Sequence, residues 1–179
     1  MGARLVAPVG FLVALAALFF VLQTLNNPPT SSIATTASPD ILKQFEIKPV
    51  APIAATVTDK NNQKVDLISL LTKPTLLTFW SVGCGECETG LPLLDTFAKS
   101  QSKIAIVIVD TKDSPKDAQA KLDSLKVSLT TYYDPDGSAY QNWEATMPSS
   151  YYVAAGQIKY FFNGRVANDH LQALLTITP

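Results

Sequence analysis

Cys84 and Cys87 are the only cysteines in this chain of 179 residues, and two residues separate them. They follow an apolar run at residues 76–80 that ends short of Gly83. They precede a stretch with apolar side chains at Leu91, Leu94, Phe97 and Ala98. Spacings of three and four mark one face of a helix, so the pair sits at a predicted strand-to-helix junction. Free backbone N–H groups and the helix dipole at such a start favour a thiolate on the first sulfur. The second sulfur shares that face, within reach of a disulfide across one turn. The two cysteines pair either with each other or with a substrate. The chemistry this predicts is thiol–disulfide exchange, with Cys84 as nucleophile and Cys87 as resolver. A structural disulfide and a pair of core thiols are the competing readings; both fit poorly after an apolar strand and a glycine.

Gly85 and Glu86 lie between the sulfurs. Glu86 suits a helix N-terminus, but a negative charge within a turn of Cys84 disfavours the thiolate, and Glu88 adds to this. A less stabilised thiolate makes a less oxidising couple. No histidine stands between the cysteines, so the local charge points to a reductant. Ordinary first-turn preference for acids accounts for both glutamates equally well.

The elements around the pair read as one exported domain. Residues 5–25 carry no charge and follow Arg4. At about 1.5 Å per residue they are long enough to cross a hydrocarbon core. Positive charge on the N-terminal side alone predicts that end in the cytoplasm and the remainder outside. A cleaved signal peptide is the alternative, but no small-x-small site closely follows the apolar run. Residues 1–25 are expected to be a membrane signal-anchor, 26–44 a polar, proline-punctuated linker, and 45–179 the domain. From Asp40 onward 13 basic and 15 acidic side chains are interspersed, which leaves no basic groove for nucleic acid. Two cysteines and the single His170 fall short of the four ligands of a structural zinc site. No cofactor or metal is expected.

Turn residues 59–63 separate short strands at 54–58 and 64–66, the pattern of a hairpin. A helical turn at 67–71 follows, and Pro74 opens the strand that leads to Cys84. Residues 104–109 are a continuous apolar run, a strand buried on both faces. Ser114-Pro115-Lys116-Asp117 is a helix start, with the helix reaching Leu125. A strand at 129–133 closes in the turn Asp134-Pro135-Asp136-Gly137, and a helical stretch runs to Trp143. Strands at 151–154 and 157–162 flank Ala155-Gly156, and Asn168 or Asp169 caps a last helix. This order predicts an α/β fold with a mixed sheet.

The layout and several local strings resemble the thioredoxin superfamily, above all its membrane-tethered TlpA/ResA/DsbE-like branch, over about residues 45–178. Phe79-Trp80 precedes Cys84-x-x-Cys87 as in that family, and Leu91-Pro92 matches the proline of its active-site helix. Met147-Pro148 stands where the family has a cis-proline leading into a strand. The 60 residues between Cys87 and Pro148 accommodate the strand and helix this branch inserts. Two positions depart from the pattern. Gly83 stands in place of the usual tryptophan, and Thr78 in place of the buried aspartate of thioredoxin itself. The family's acid in the inserted segment has no counterpart that the sequence assigns.

The resemblance implies an extracytoplasmic thiol:disulfide oxidoreductase with a Cys84–Cys87 disulfide in one redox state. Trp80, Gly85, Glu86, Met147 and Pro148 would support or contact the substrate, with the Met147 backbone beside the sulfurs and able to pair with an extended segment. Its partners would be thiols or disulfides of exported proteins, such as the haem-binding cysteines of apocytochrome c, and a membrane thiol donor. An oxidase or isomerase of the same fold is the near alternative. A redox-inert client-binding or metal-carrying module is the distant one. A thiol peroxidase would need threonine and proline shortly before its reactive cysteine, where Ser81 and Leu77 stand instead.

Overall fold

The computed structural model describes residues 38–178. The predicted membrane anchor and most of the predicted linker lie outside these. Among the described residues no helix is long and apolar enough to cross a membrane. The first described element is Pro39–Phe45, a 3-10 helix within the stretch expected to be linker. Its anchor is Leu42, fully buried in the core. Ile41 and Phe45 pack beside it, but three apolar residues in one short turn are too few to read as a periodic face.

Among the described residues eight strands form one mixed sheet: β1 (Glu46–Val50), β2 (Thr56–Thr58), β3 (Lys64–Asp66), β4 (Thr75–Trp80), β5 (Ala105–Thr111), β6 (Thr131–Asp134), β7 (Ser149–Ala154) and β8 (Gln157–Asn163). Their spatial order is β1-β8-β7-β4-β5-β6-β2-β3. β4, β5 and β6 run parallel; the other neighbours pair antiparallel. β1 was not expected from the sequence. Its Pro49 and mostly exposed side chains suit an edge strand, where a missing N–H is tolerated.

β4 is buried along its whole length. Strand alternation sends Leu76 and Trp80 to one face and Leu77 and Phe79 to the other. Against the first face pack α1 (Gly85–Ser100) through Leu91, Leu94 and Phe97, and α2 (Pro115–Ser124) through Ala118 and Leu122. α4 (Asn168–Ile177) adds Leu171 and Leu174. The short α3 (Ser138–Asn142) covers the second face with Ala139 and the adjacent Trp143. Each helix presents apolar residues at spacings of three or four, the stripe a sheet face requires. The Ser114 hydroxyl caps α2 by accepting from the Asp117 N–H at 3.1 Å.

The last helix is capped at Ala167, one residue before Asn168 and two before Asp169, the caps expected. Ala167 has no side-chain acceptor, and His170 Nδ1 receives its N–H instead, at 3.2 Å. His170 is therefore no free surface residue. Its ring lies against Phe45 and Phe162, with centroids 4.6 and 5.6 Å away. Burial lowers its pKa, and Asp169 opposes that shift.

Candidate active site

The chain leaves β4 at Trp80, turns through Ser81, Val82 and Gly83, and enters α1 at Gly85. Gly83 has φ +81°, in the left-handed region that favours glycine, with open space around the position of a Cβ. Backbone conformation rather than crowding is what suits glycine at this position. Cys84 is the N-cap of α1 and is partly exposed. Its sulfur accepts the Cys87 backbone N–H at 3.2 Å, one of the donors left free by a helix start. Cys87, one turn in, is only 3% exposed. The two are joined as a disulfide with their Cα atoms 5.2 Å apart.

Other elements hold the loop before the pair. Asp113, after β5, accepts the Val82 N–H at 2.7 Å. Glu88 folds back from α1 to accept the Gly83 N–H at 3.2 Å, and its other contact is Lys121 of α2 at 3.0 Å. Lys121 does most to hold the Glu88 carboxyl below the usual carboxylate range; burial opposes it, and the Gly83 N–H adds a smaller lowering. Glu86 points outward and meets Arg165, from the segment after β8, at 3.2 Å.

Beneath the pair lies a cavity of about 20 Å³, lined by Thr78, Trp80, Cys87, Pro148, Ser150 and Arg165 among others. That is room for a single water. Thr78 and Ser150, on paired strands β4 and β7, join hydroxyl to hydroxyl at 2.8 Å. The polar floor under Cys87 is thus uncharged. The Met147–Pro148 peptide is cis. Pro148 lines this cavity, whereas Met147 lines a neighbouring recess with Ser81 and Val82. Trp80 is fully buried, and its indole N–H has no protein partner. Gly85 and Glu86 lie exposed on the rim. The residues singled out from sequence therefore gather at one end of the sheet, with Met147 to one side.

Sequence reasoning missed five polar residues around this centre: Asp110, Asp113, Lys121, Ser150 and Arg165. Asp110, next to last in β5, stands in register with Trp80 and Tyr133 and is fully buried. Among the described residues neither carboxyl oxygen has a hydrogen-bond partner. Burial, and then repulsion from Asp113, pushes its pKa from 3.8 to about 8, so it is largely protonated at neutral pH. A signal existed, since Asp110 closes a continuous apolar run and Asp113 follows three residues later, and the carboxyl ends of parallel strands are where α/β folds build sites. Lys121 and Arg165 carry no local signal, because each reaches α1 from a distant part of the chain.

A cysteine pair at the start of a helix, beside a cis-proline on a central mixed sheet, defines a thioredoxin-like protein. The chain belongs to the AhpC/TSA family, whose model matches residues 43–161. The thiol-disulfide oxidoreductase ResA of Oceanobacillus iheyensis is 21% identical over 89% of this chain and 80% of its own length. The thiol-disulfide oxidoreductase YkuV of Bacillus subtilis is 30% identical over 51% of this chain and 68% of its own. Among solved structures, a secreted Mycobacterium tuberculosis disulfide oxidoreductase homologous to E. coli DsbE superimposes with a TM-score of 0.60. It has 21% identity and covers 68% of this chain and 95% of that one. At that identity the likeness speaks for the fold.

Proposed function

We propose that this protein is a membrane-tethered reductant of disulfides in exported proteins, with Cys84 as nucleophile and Cys87 as resolver. The family and the cysteine spacing make the chain a thiol:disulfide oxidoreductase. The observation that carries the division of labour is the contrast between the two sulfurs. Cys84 is partly exposed and takes the Cys87 N–H, while Cys87 is buried. A donor aimed at a sulfur favours its thiolate, and burial in apolar surroundings favours the thiol.

In the reduced protein the Cys84 thiolate attacks one sulfur of a client disulfide. The client S–S bond breaks, a mixed disulfide forms, and the departing client thiolate takes up a proton. Cys87 then loses its proton, and its sulfur attacks Cys84. The mixed disulfide breaks, and the second client thiolate is released and protonated. Two electrons pass to the client, and the protein ends as the Cys84–Cys87 disulfide. Trp80 and Pro148 border the sulfurs, Gly85 and Glu86 form the rim, and Met147 offers its backbone to an extended client segment. A membrane thiol donor would return the two electrons. The uncharged residues 5–25 behind Arg4 support tethering on the extracytoplasmic side. The haem-binding cysteines of apocytochrome c are the client class that the family resemblance suggests.

The direction is tested by the reduction potential of the protein in thiol/disulfide buffers, with free thiols counted by alkylation. A value well below about −200 mV supports a reductant, and one near about −120 mV an oxidase. The absence of any reversible two-electron couple would leave the pair structural.

A further inference from the structure

Both first-turn glutamates of α1 are met by cations from elsewhere in the fold. Glu88 pairs with Lys121 of α2 at 3.0 Å; both side chains are about three-quarters buried, 27% and 28% exposed. Glu86 pairs with Arg165 at 3.2 Å. The Arg165 stem lies over Gly90, where a Cβ would come within 3.1 Å of its Cγ and 3.3 Å of its Cδ. A glycine on this buried side of α1 thus opens the channel along which Arg165 reaches the first turn. No cation on α1 itself does this work, since its only basic residue, Lys99, sits at the far end with Asp95.

We propose that Lys121 and Arg165 are positioning residues for the exchange reaction: they neutralise Glu88 and Glu86, so that the Cys87 N–H and the helix start act on the Cys84 thiolate unopposed. The inference rests on the exchange reading above and deepens it. With bare acids two and four residues after Cys84, the like charge would offset the helix-terminal field, which is itself a partial charge of about half a unit. With each acid paired, the net charge of that turn is close to zero. The remaining charged groups near the loop act less directly. Asp113 is engaged with the Val82 N–H, Asp110 is held neutral by burial, and Lys112 lines the recess beside Ser81 and Val82. The reducing character read from the glutamates alone is therefore moderated by the fold.

The test is the pH dependence of Cys84 alkylation in the reduced protein, together with the reduction potential. Arg165→Gln and Lys121→Gln are each expected to move the alkylation midpoint upward and to slow reaction at neutral pH about twofold to threefold, the scale of a partly exposed pair. Both should make the couple more reducing. Adding Glu86→Gln to Arg165→Gln, or Glu88→Gln to Lys121→Gln, should return the profile towards wild type, and Lys121→Arg should preserve it. Molar salt should erase the single-variant differences, which loss of packing would not do. Gly90→Ala keeps every charge, favours the helix and displaces the Arg165 stem, so it should reproduce part of the Arg165→Gln shift. Unchanged profiles in both glutamine variants, or shifts that the paired glutamate changes do not reverse, overturn the proposal. A reduced protein in which Cys84 shows no distinct reactivity instead overturns the exchange reading itself.

Discussion

Asp113 Oδ2 accepts the backbone N–H of Val82 at 2.7 Å, joining the loop after β5 to the loop that delivers Cys84. The two residues are 31 apart in sequence, and the contact ties down the approach to α1. Charge-assisted bonds of this kind contribute about 1.5–3 kcal/mol. Asp113→Ala is accordingly expected to destabilise the fold by about 2 kcal/mol and to raise hydrogen exchange at the Val82 amide selectively. An amide as protected as in wild type would mean that packing alone holds the loop.

The contrast in burial between the sulfurs predicts different behaviour in the single-cysteine variants. Cys87→Ser leaves the exposed sulfur without its resolver and should accumulate mixed disulfides with clients or with a model disulfide. Cys84→Ser should accumulate far fewer, because Cys87 is 3% exposed. Non-reducing gels and mass spectrometry of the trapped adducts distinguish the two. Adducts that form through Cys87 would reverse the assigned roles.

Asp110 gives stability a pH dependence of defined sign. Its pKa is raised by burial, and then by Asp113, from 3.8 to about 8, so between those values the folded chain binds a proton that the unfolded chain has released. Stability from this group is thus fully present below about pH 4 and declines as pH rises towards about 8. Asp110→Asn keeps the shape, removes the titration and should flatten that slope in urea unfolding. At pH 8 the variant should be more stable than wild type by about 2 kcal/mol. A variant less stable at pH 8, with the slope intact, would show that the carboxylate is satisfied in the folded state.

The Thr78–Ser150 hydroxyl pair under Cys87 is buried on both sides. Thr78→Val leaves the Ser150 hydroxyl without this partner and should cost about 1–2 kcal/mol. Ser150→Ala should cost a similar amount, and the double variant less than the sum, because it leaves no orphaned group. Thermal unfolding of the three variants measures the coupling. Additive losses would show that the hydroxyls act independently.

Much of the scaffold was legible in the residues, because its signals are local. The apolar run through Phe79 and Trp80, the Ser114-Pro115 helix start and the Ala155-Gly156 hairpin each declare an element through periodicity or turn chemistry within a few residues. The cysteine spacing declares the chemistry in the same way. β1 and the Pro39–Phe45 turn escaped, since an exposed edge strand has no period to detect and the three apolar residues of one short turn are too few to show one.

What sequence by itself determined here is the class of protein and the place of its two sulfurs: a strand, a sharp turn and a helix start are consequences of short-range sterics and hydrogen bonding. Only the tertiary structure decided what surrounds those sulfurs. The glutamates beside Cys84 read as bare charges until α2 and the segment after β8 bring Lys121 and Arg165 to them. Thr78 reads as a lost acid until β7 brings Ser150 opposite it. Asp110 reads as an ordinary strand-end carboxylate until the sheet and its helices remove it from water. Electrostatic environment is set by neighbours in space and by exclusion of solvent, and neither is written in the order of the chain.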